Sequence, residues 1–302
     1  MPTKRRDDTC SSPAWIVLLV ALSAGCGGAP TIEPPPRSIE PPRAPPTAAA
    51  LPSAGAIAAG AIAADVEAAA LAPLAGDPFV DLPVEGHRAA VVSVPLGAVA
   101  PRPLVVVTHG AGGRPEPHCA FWREMLGDRG FILCPRGTLL GSFAEPSEQG
   151  FFYRDHHALE REVSAAMAAL RARFGGYLDE RAPIYAGFSQ GATMGALAFA
   201  RRPAVFARLV LIEGGVGEAD EWTISGARAF REGGGERVLF ACGRPSCLLA
   251  AQRSLTYFDK AGLVGRVVHG AGAGHTYGGA VEGAVKGALP WITEGDRRWG
   301  ER

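Results

Sequence analysis

The chain has 302 residues with 30 Lys plus Arg against 30 Asp plus Glu, so it carries no net charge that would mark it for nucleic acid or an acidic partner. Hydrophobic residues make up 47%, enough for a sizeable core in one large domain or two small ones. Its 25 prolines crowd towards the front, which fits a structureless segment ahead of a globular domain and excludes a fibrous protein.

Residues 1–25 carry the features of an export signal. Lys4, Arg5 and Arg6 give a positive start, residues 15–22 an apolar core, and Ser23-Ala24-Gly25 a run of small residues before Cys26. The apolar run is shorter than the roughly 20 residues of a membrane-spanning helix, and small residues close it. One reading is an ordinary cleaved signal peptide. The other rests on Cys26: the stretch resembles the lipobox of bacterial lipoproteins. That resemblance implies Cys26 as the lipidated, palmitate-bearing first residue of the mature chain. The usual leucine lies one position early, at Leu22, with Ser23 in its place. Gly27 replaces the aspartate associated with inner-membrane retention, which leans towards the outer membrane. The expected location is the cell envelope, on the outer membrane or its periplasmic face, with a lipid anchor to the membrane. Simple secretion is the alternative.

Residues 26–76 are rich in proline and alanine and poor in large apolar side chains. Such a stretch cannot bury enough surface to offset the entropy of ordering it. It is expected to be a disordered tether before a domain over residues 77–302. In that domain a strand is expected over 88–95 and another over 104–108, then a helix over 116–129 and a strand over 131–134. A long helix follows over 156–174, with Asp155 as its cap. Next come strand 182–186 with helix 192–200, strand 208–212 with helix 224–232, strand 237–241 with helix 248–261, and strand 265–269 with helix 280–291. The strand runs do not alternate with polar residues, as befits strands buried on both faces. The pattern predicts an α/β fold, a mostly parallel central sheet with helices on both faces. Ligands in such folds bind at the carboxyl ends of the strands.

Of the six cysteines, Cys10 and Cys26 fall in or beside the export segment. Cys119, Cys134, Cys242 and Cys247 remain, an even set that suggests two disulfides in an exported domain. Three pairings are open; the local one, Cys119–Cys134 with Cys242–Cys247, is favoured. No cysteine–histidine cluster has zinc spacing, and no metal is expected.

Gly187-Phe188-Ser189-Gln190-Gly191 is a G-x-S-x-G pentapeptide between a strand and a helix. A serine there sits on a sharp turn that lifts its hydroxyl to the top of the sheet. His109-Gly110-Ala111-Gly112-Gly113 directly follows the strand over 104–108, and His275 follows the last strand in a glycine-rich loop. In this order these pieces resemble the α/β-hydrolase fold. The elbow and the His-Gly-x-Gly-Gly loop are similar to those of its bacterial carboxylesterase, thioesterase and phospholipase-like branch. The resemblance covers residues 80–293 and implies Ser189 as nucleophile and His275 as general base. It implies an oxyanion hole from the backbone N–H groups of Gln190 and Ala111. The chemistry requires such parts, since a serine hydroxyl is a poor nucleophile until a base takes its proton. The same base then protonates the leaving alcohol.

Plainer roles exist for each: a helix N-cap for Ser189, an ordinary loop residue for His275. His109 is expected to be structural, and His87, His118, His156, His157 and His269 surface or structural. Phe151-Phe152-Tyr153 suits either an acyl pocket or core packing, and Tyr277 is a candidate neighbour of the site.

The acid is the gap. In the fold it usually follows the seventh strand in a Gly-x-x-Asp turn, and here Ser246 in Cys242-Gly243-Arg244-Pro245-Ser246-Cys247 stands at that place. A hydroxyl cannot stabilise an imidazolium as a carboxylate does. Some members place the acid after the sixth strand. Glu213 directly follows the strand over 208–212 and is the first choice, with Asp220 second and a solvated loop role as the alternative.

The expected protein is therefore an exported serine hydrolase of small-molecule carboxylic esters, acting through an acyl-enzyme and needing no cofactor. The missing aspartate motivates a second class, a catalytically impaired binding protein on the same fold. A thioesterase or peptidase is the alternative within the enzyme class.

Overall fold

The computed structural model describes residues 71–141 and 149–300. The export signal, Cys26 and the tether up to residue 70 lie outside the described residues. An eight-stranded sheet organises the domain, in the order β1 (Phe79–Leu82), β2 (Ala90–Ser93), β4 (Phe131–Cys134), β3 (Arg102–Thr108), β7 (Leu178–Phe188), β8 (Arg208–Ile212), β9 (Arg237–Cys242), β10 (Val264–His269). β2 runs antiparallel to both its neighbours, β1 and β4, and the pairings from β4 through β3 to β10 are parallel. A separate hairpin joins β5 (Thr138–Leu140) to β6 (Gly150–Phe152).

The unbroken apolar strands follow from helices on both faces. Side chains alternate across a strand, so each central strand feeds two cores. Leu104 and Val106, Leu209 and Leu211, and Val238 and Phe240 enter one core. Val105 and Val107, Val210 and Ile212, and Leu239 and Ala241 enter the other. The first is covered by α2 (His156–Phe174), α3 (Gln190–Phe199), α4 (Ile224–Glu232) and α5 (Pro245–Ala261). The second is covered by α1 (Pro115–Leu126) and α6 (Ala280–Thr293). Asp155 caps α2, its carboxylate accepting from the Ala158 N–H at 2.8 Å. Pro115 and Pro245 start α1 and α5 where no backbone donor is needed.

Several expectations change in detail. The strand over 88–95 contracts to Ala90–Ser93, and β1 and the β5–β6 hairpin are too short to signal themselves. Contacts of the domain begin ahead of Asp77. Leu74 exchanges backbone hydrogen bonds with Gly97 and Ala98, and the Tyr177 hydroxyl donates to the Ala72 carbonyl, so the last tether residues are held on the domain. Phe151 and Tyr153 are buried core residues, 3% and 2% exposed. Disulfides join Cys119 of α1 to Cys134 at the end of β4, and Cys242 at the end of β9 to Cys247 in α5. Among the described residues, no helix is long and apolar enough to cross a membrane.

The strand order reverses at β3, whose neighbours are β4 and β7. Chains leaving the carboxyl ends of β3 and β7 diverge there to opposite faces of the sheet and open a crevice. The loop at His109 and the turn at Ser189 are those chain segments.

Candidate active site

Ser189 is the single residue between β7 and α3, with φ 52° and ψ −116°. A non-glycine residue held there costs roughly 1–3 kcal/mol. The turn is tight because the helix starts against the strand end. A Cβ on Gly187 would stand 2.6 Å from the Ala192 nitrogen, and one on Gly191 would stand 2.5 Å from Thr108 Oγ1 and 2.6 Å from the His109 carbonyl oxygen. Only glycine allows that approach. The Ser189 N–H donates to the Ile212 carbonyl at 2.8 Å, and its own carbonyl accepts from Thr193 at 3.0 Å. The hydroxyl is left facing His275.

The loop after β3 is pinned from two sides. Gly112 donates to the Phe151 carbonyl at 2.8 Å and Phe151 donates back to Gly113 at 2.9 Å, so β6 props the loop. His109 is fully buried beneath it, with Nδ1 2.8 Å from the Gly110 carbonyl and Nε2 2.8 Å from the Arg136 carbonyl. Burial pushes its imidazole below the ordinary range, although the two carbonyls pull the other way. A neutral ring donates to only one of them, and both nitrogens are occupied by the backbone. The Gln190 side chain accepts from the Tyr153 N–H at 2.9 Å, which ties the start of α3 to the same hairpin. Among the described residues, the backbone N–H groups of Ala111 and Gln190 have no hydrogen-bond partner. Such uncommitted donors at strand ends are what an oxyanion requires.

His275 lies in the loop after β10 and bridges two side chains. Its Nε2 is 2.8 Å from Ser189 Oγ, and its Nδ1 is 2.9 Å from Glu213 Oε2. With Nδ1–H donating to the carboxylate, Nε2 is the tautomeric acceptor for the serine proton. Glu213 is 2% exposed and follows directly on β8. Its Oε1 accepts from the Gly243 and Arg244 backbone N–H groups, and its Oε2 accepts from Arg244 Nε at 2.6 Å. Burial alone would raise this carboxyl. The N–H groups of Arg244 and Gly243, then His275 and the Arg244 guanidinium, outweigh burial and hold it below the usual glutamate range. Glu213 is therefore ionised where His275 needs an anion.

Asp220 is exposed, and Ser246 is exposed in the first turn of α5. Among the described residues, neither has a hydrogen bond to His275. Cys242 and Cys247 lie near Glu213, but their sulfurs are bonded to each other, and the carboxylate is occupied by its donors. The residue that sequence reasoning passed over is Arg244. Its signal is its place inside the Cys242–Cys247 loop, where Ser246 stands at the position usual for the acid. His118, expected to be surface or structural, is 5% exposed and stands with Phe188 and Tyr277 beside the loop after β3.

Three solved structures share this architecture. S-formylglutathione hydrolase FrmB from Staphylococcus aureus superposes with a TM-score of 0.54 at 12% identity, covering 74% of this chain and 100% of that one. TT1662 from Thermus thermophilus gives 0.51 at 20% identity, covering 72% and 98%. Est1E from Butyrivibrio proteoclasticus gives 0.51 at 15% identity, covering 72% and 98%. The chain has the α/β-hydrolase fold. No protein-family model and no curated protein matches it. Identities this low speak for the fold alone, and the chemistry has to come from the α/β-hydrolase site itself.

Proposed function

We propose that the protein is an exported serine hydrolase that cleaves carboxylic esters through an acyl-enzyme. The carrying observation is the unbroken chain from Glu213 Oε2 to His275 Nδ1, 2.9 Å, and from His275 Nε2 to Ser189 Oγ, 2.8 Å. Ser189 Oγ attacks the ester carbonyl carbon while its proton passes to His275 Nε2. Glu213 stabilises the resulting imidazolium. The carbonyl oxygen becomes an oxyanion held by the Ala111 and Gln190 N–H groups, positions worth on the order of 10²–10³ in rate for one donor. As the C–O bond to the alcohol breaks, Nε2 returns the proton to the leaving oxygen. Water then attacks the acyl-enzyme, gives its proton to His275, and releases the acid while Ser189 regains its hydrogen. No cofactor takes part.

Two further features support an exported setting. A domain with two disulfides suits an oxidising compartment, and Cys26 stands where a lipoprotein signal presents its lipidated cysteine. The protein is accordingly held at the cell envelope by a lipid anchor on Cys26. Loss of the protein from the membrane fraction in Cys26→Ser tests the anchor.

A fluorophosphonate probe tests the chemistry. The wild type should be labelled and Ser189→Ala should not. Equal labelling of the two, or none of the wild type together with no ester turnover, overturns the enzyme and leaves a binding protein on the same fold.

A further inference from the structure

Next to Ser189 lies a cleft of about 270 Å³, formed by the loop after β3, the start of α1, and the side chains of Arg114, Pro117, His118, Phe188 and Tyr277. Gly110 at its edge packs against the nucleophile: a Cβ there would stand 3.0 Å from Ser189 Cβ and 3.1 Å from the Phe188 ring. Three rings make one wall. Tyr277 lies 4.1 Å from His118 and 5.1 Å from Phe188 between ring centroids, and His118 lies 5.7 Å from Phe188. Phe121 backs Tyr277 edge-on at 5.1 Å, so the wall is supported by core packing. Burial, with His109 nearby, pushes the His118 imidazole down to about 3, so at neutral pH this wall is uncharged. Among the described residues no acidic side chain lines the cleft, and the Arg114 guanidinium at its rim is paired with Glu116 at 3.3 Å.

Position decides which half of an ester enters. The leaving oxygen must meet His275 Nε2 to receive its proton. His275 does not itself line the cleft and meets its wall at Phe188, ring centroids 5.2 Å apart, whereas Ala111 of the oxyanion loop lines it directly. The cleft is thus on the acyl side of the carbonyl. Its volume falls just under the roughly 300–1,000 Å³ of sites that enclose drug-sized ligands. Building on the serine-hydrolase reading above, we propose that this cleft is the acyl site and that it selects short or single-ring acyl groups over long alkyl chains, with Tyr277 and His118 setting the limit.

The test is kcat/KM of the purified full chain on p-nitrophenyl acetate, butyrate, benzoate and decanoate. In the wild type, butyrate and benzoate should exceed decanoate by about tenfold or more, the scale on which a pocket discriminates small changes in an apolar group. Tyr277→Ala and His118→Ala should each lower benzoate turnover relative to acetate and raise the decanoate-to-butyrate ratio. Fluorophosphonate labelling of Ser189 reports that each variant is folded. A wild type that cleaves decanoate as well as butyrate and benzoate overturns the acyl site. So do labelled variants whose ratios do not move. If the wild type takes no label and cleaves no ester, the serine-hydrolase reading itself has failed, and the acyl site falls with it.

Discussion

Ser189 and Glu213 occupy equivalent places at the ends of adjacent parallel strands. Phe188 of β7 is paired in register with Ile212 of β8, and Ser189 and Glu213 are the next residue on each. Both have left-handed backbones, φ 52° and 54°. Each donates its N–H sideways to the end of the neighbouring strand, Ser189 to Ile212 and Glu213 to Ala241. The same device, one strained residue turning out of a buried strand, thus presents both the hydroxyl and the carboxylate to His275.

Glu213→Gln keeps the size of the side chain and removes its charge. The imidazolium formed as Ser189 attacks then has no counterion. Ester kcat is expected to fall, by up to about 10⁴-fold if the loss matches the amide replacement known in serine proteases. Steady-state kinetics on a short aryl ester measure it. Asp220→Asn should leave kcat unchanged, because that carboxylate is exposed and makes no hydrogen bond to His275 among the described residues. A loss in Asp220→Asn equal to that in Glu213→Gln would reassign the acid.

Arg244 acts through Glu213 as a positioning residue. Its guanidinium and its backbone N–H both help to hold the Glu213 carboxyl below its ordinary range. Arg244→Ala removes the guanidinium and moves the Glu213 pKa upwards. A carboxylate that must be ionised is then lost at a higher pH as acid is added. The acid limb of kcat against pH should therefore shift to higher pH in Arg244→Ala, with Arg244→Lys shifting less. A parallel drop at all pH values, with no displacement of the limb, would mean that Arg244 serves only packing.

How much of this was visible beforehand depends on the range of the interactions involved. The central strands and α2 were legible because an unbroken apolar run or an amphipathic repeat is a local property, and Asp155 marks the start of α2 within its own segment. The elbow was legible because Gly187 and Gly191 answer a local steric demand. The hairpin β5–β6 was not, since three-residue strands carry almost no pattern, and its value lies in propping Gly112 and Gly113 from far along the chain. The cradle of Glu213 was hidden for a similar reason. Its donors, Gly243 and Arg244, come from the next strand end, about thirty positions away. The cleft wall combines α1, the elbow and the His275 loop, a conjunction that only the sheet order brings about.

The two disulfides should separate stability from activity. Closing a 15-residue loop, as Cys119–Cys134 does, is worth about 3 kcal/mol, and the five-residue separation of Cys242–Cys247 about 2 kcal/mol, on chain entropy alone. The shorter link encloses Gly243 and Arg244, whose N–H groups hold Glu213. The double variant Cys242→Ser with Cys247→Ser should therefore lose more kcat, although Cys119→Ser with Cys134→Ser loses more stability. Denaturant midpoints and ester kinetics on the two variants test this. Equal kcat in both at a temperature where both are folded would show that the shorter disulfide does not shape the site.

Ser189→Ala and Ser189→Gly both delete the hydroxyl and its contact with His275, so both should abolish ester turnover and fluorophosphonate labelling. They differ in the backbone. Alanine keeps a Cβ at φ 52°, whereas glycine accepts that conformation without a steric penalty. Glycine also gains freedom in the unfolded chain, which offsets part of the relief. Against a strain of roughly 1–3 kcal/mol, the net expectation is that Ser189→Gly is more stable than Ser189→Ala by about 1 kcal/mol, read as a higher urea midpoint at unchanged slope. If Ser189→Ala is as stable or more so, the elbow stores no appreciable strain. The cost of presenting the nucleophile would then lie elsewhere, for example in the buried charge of Glu213.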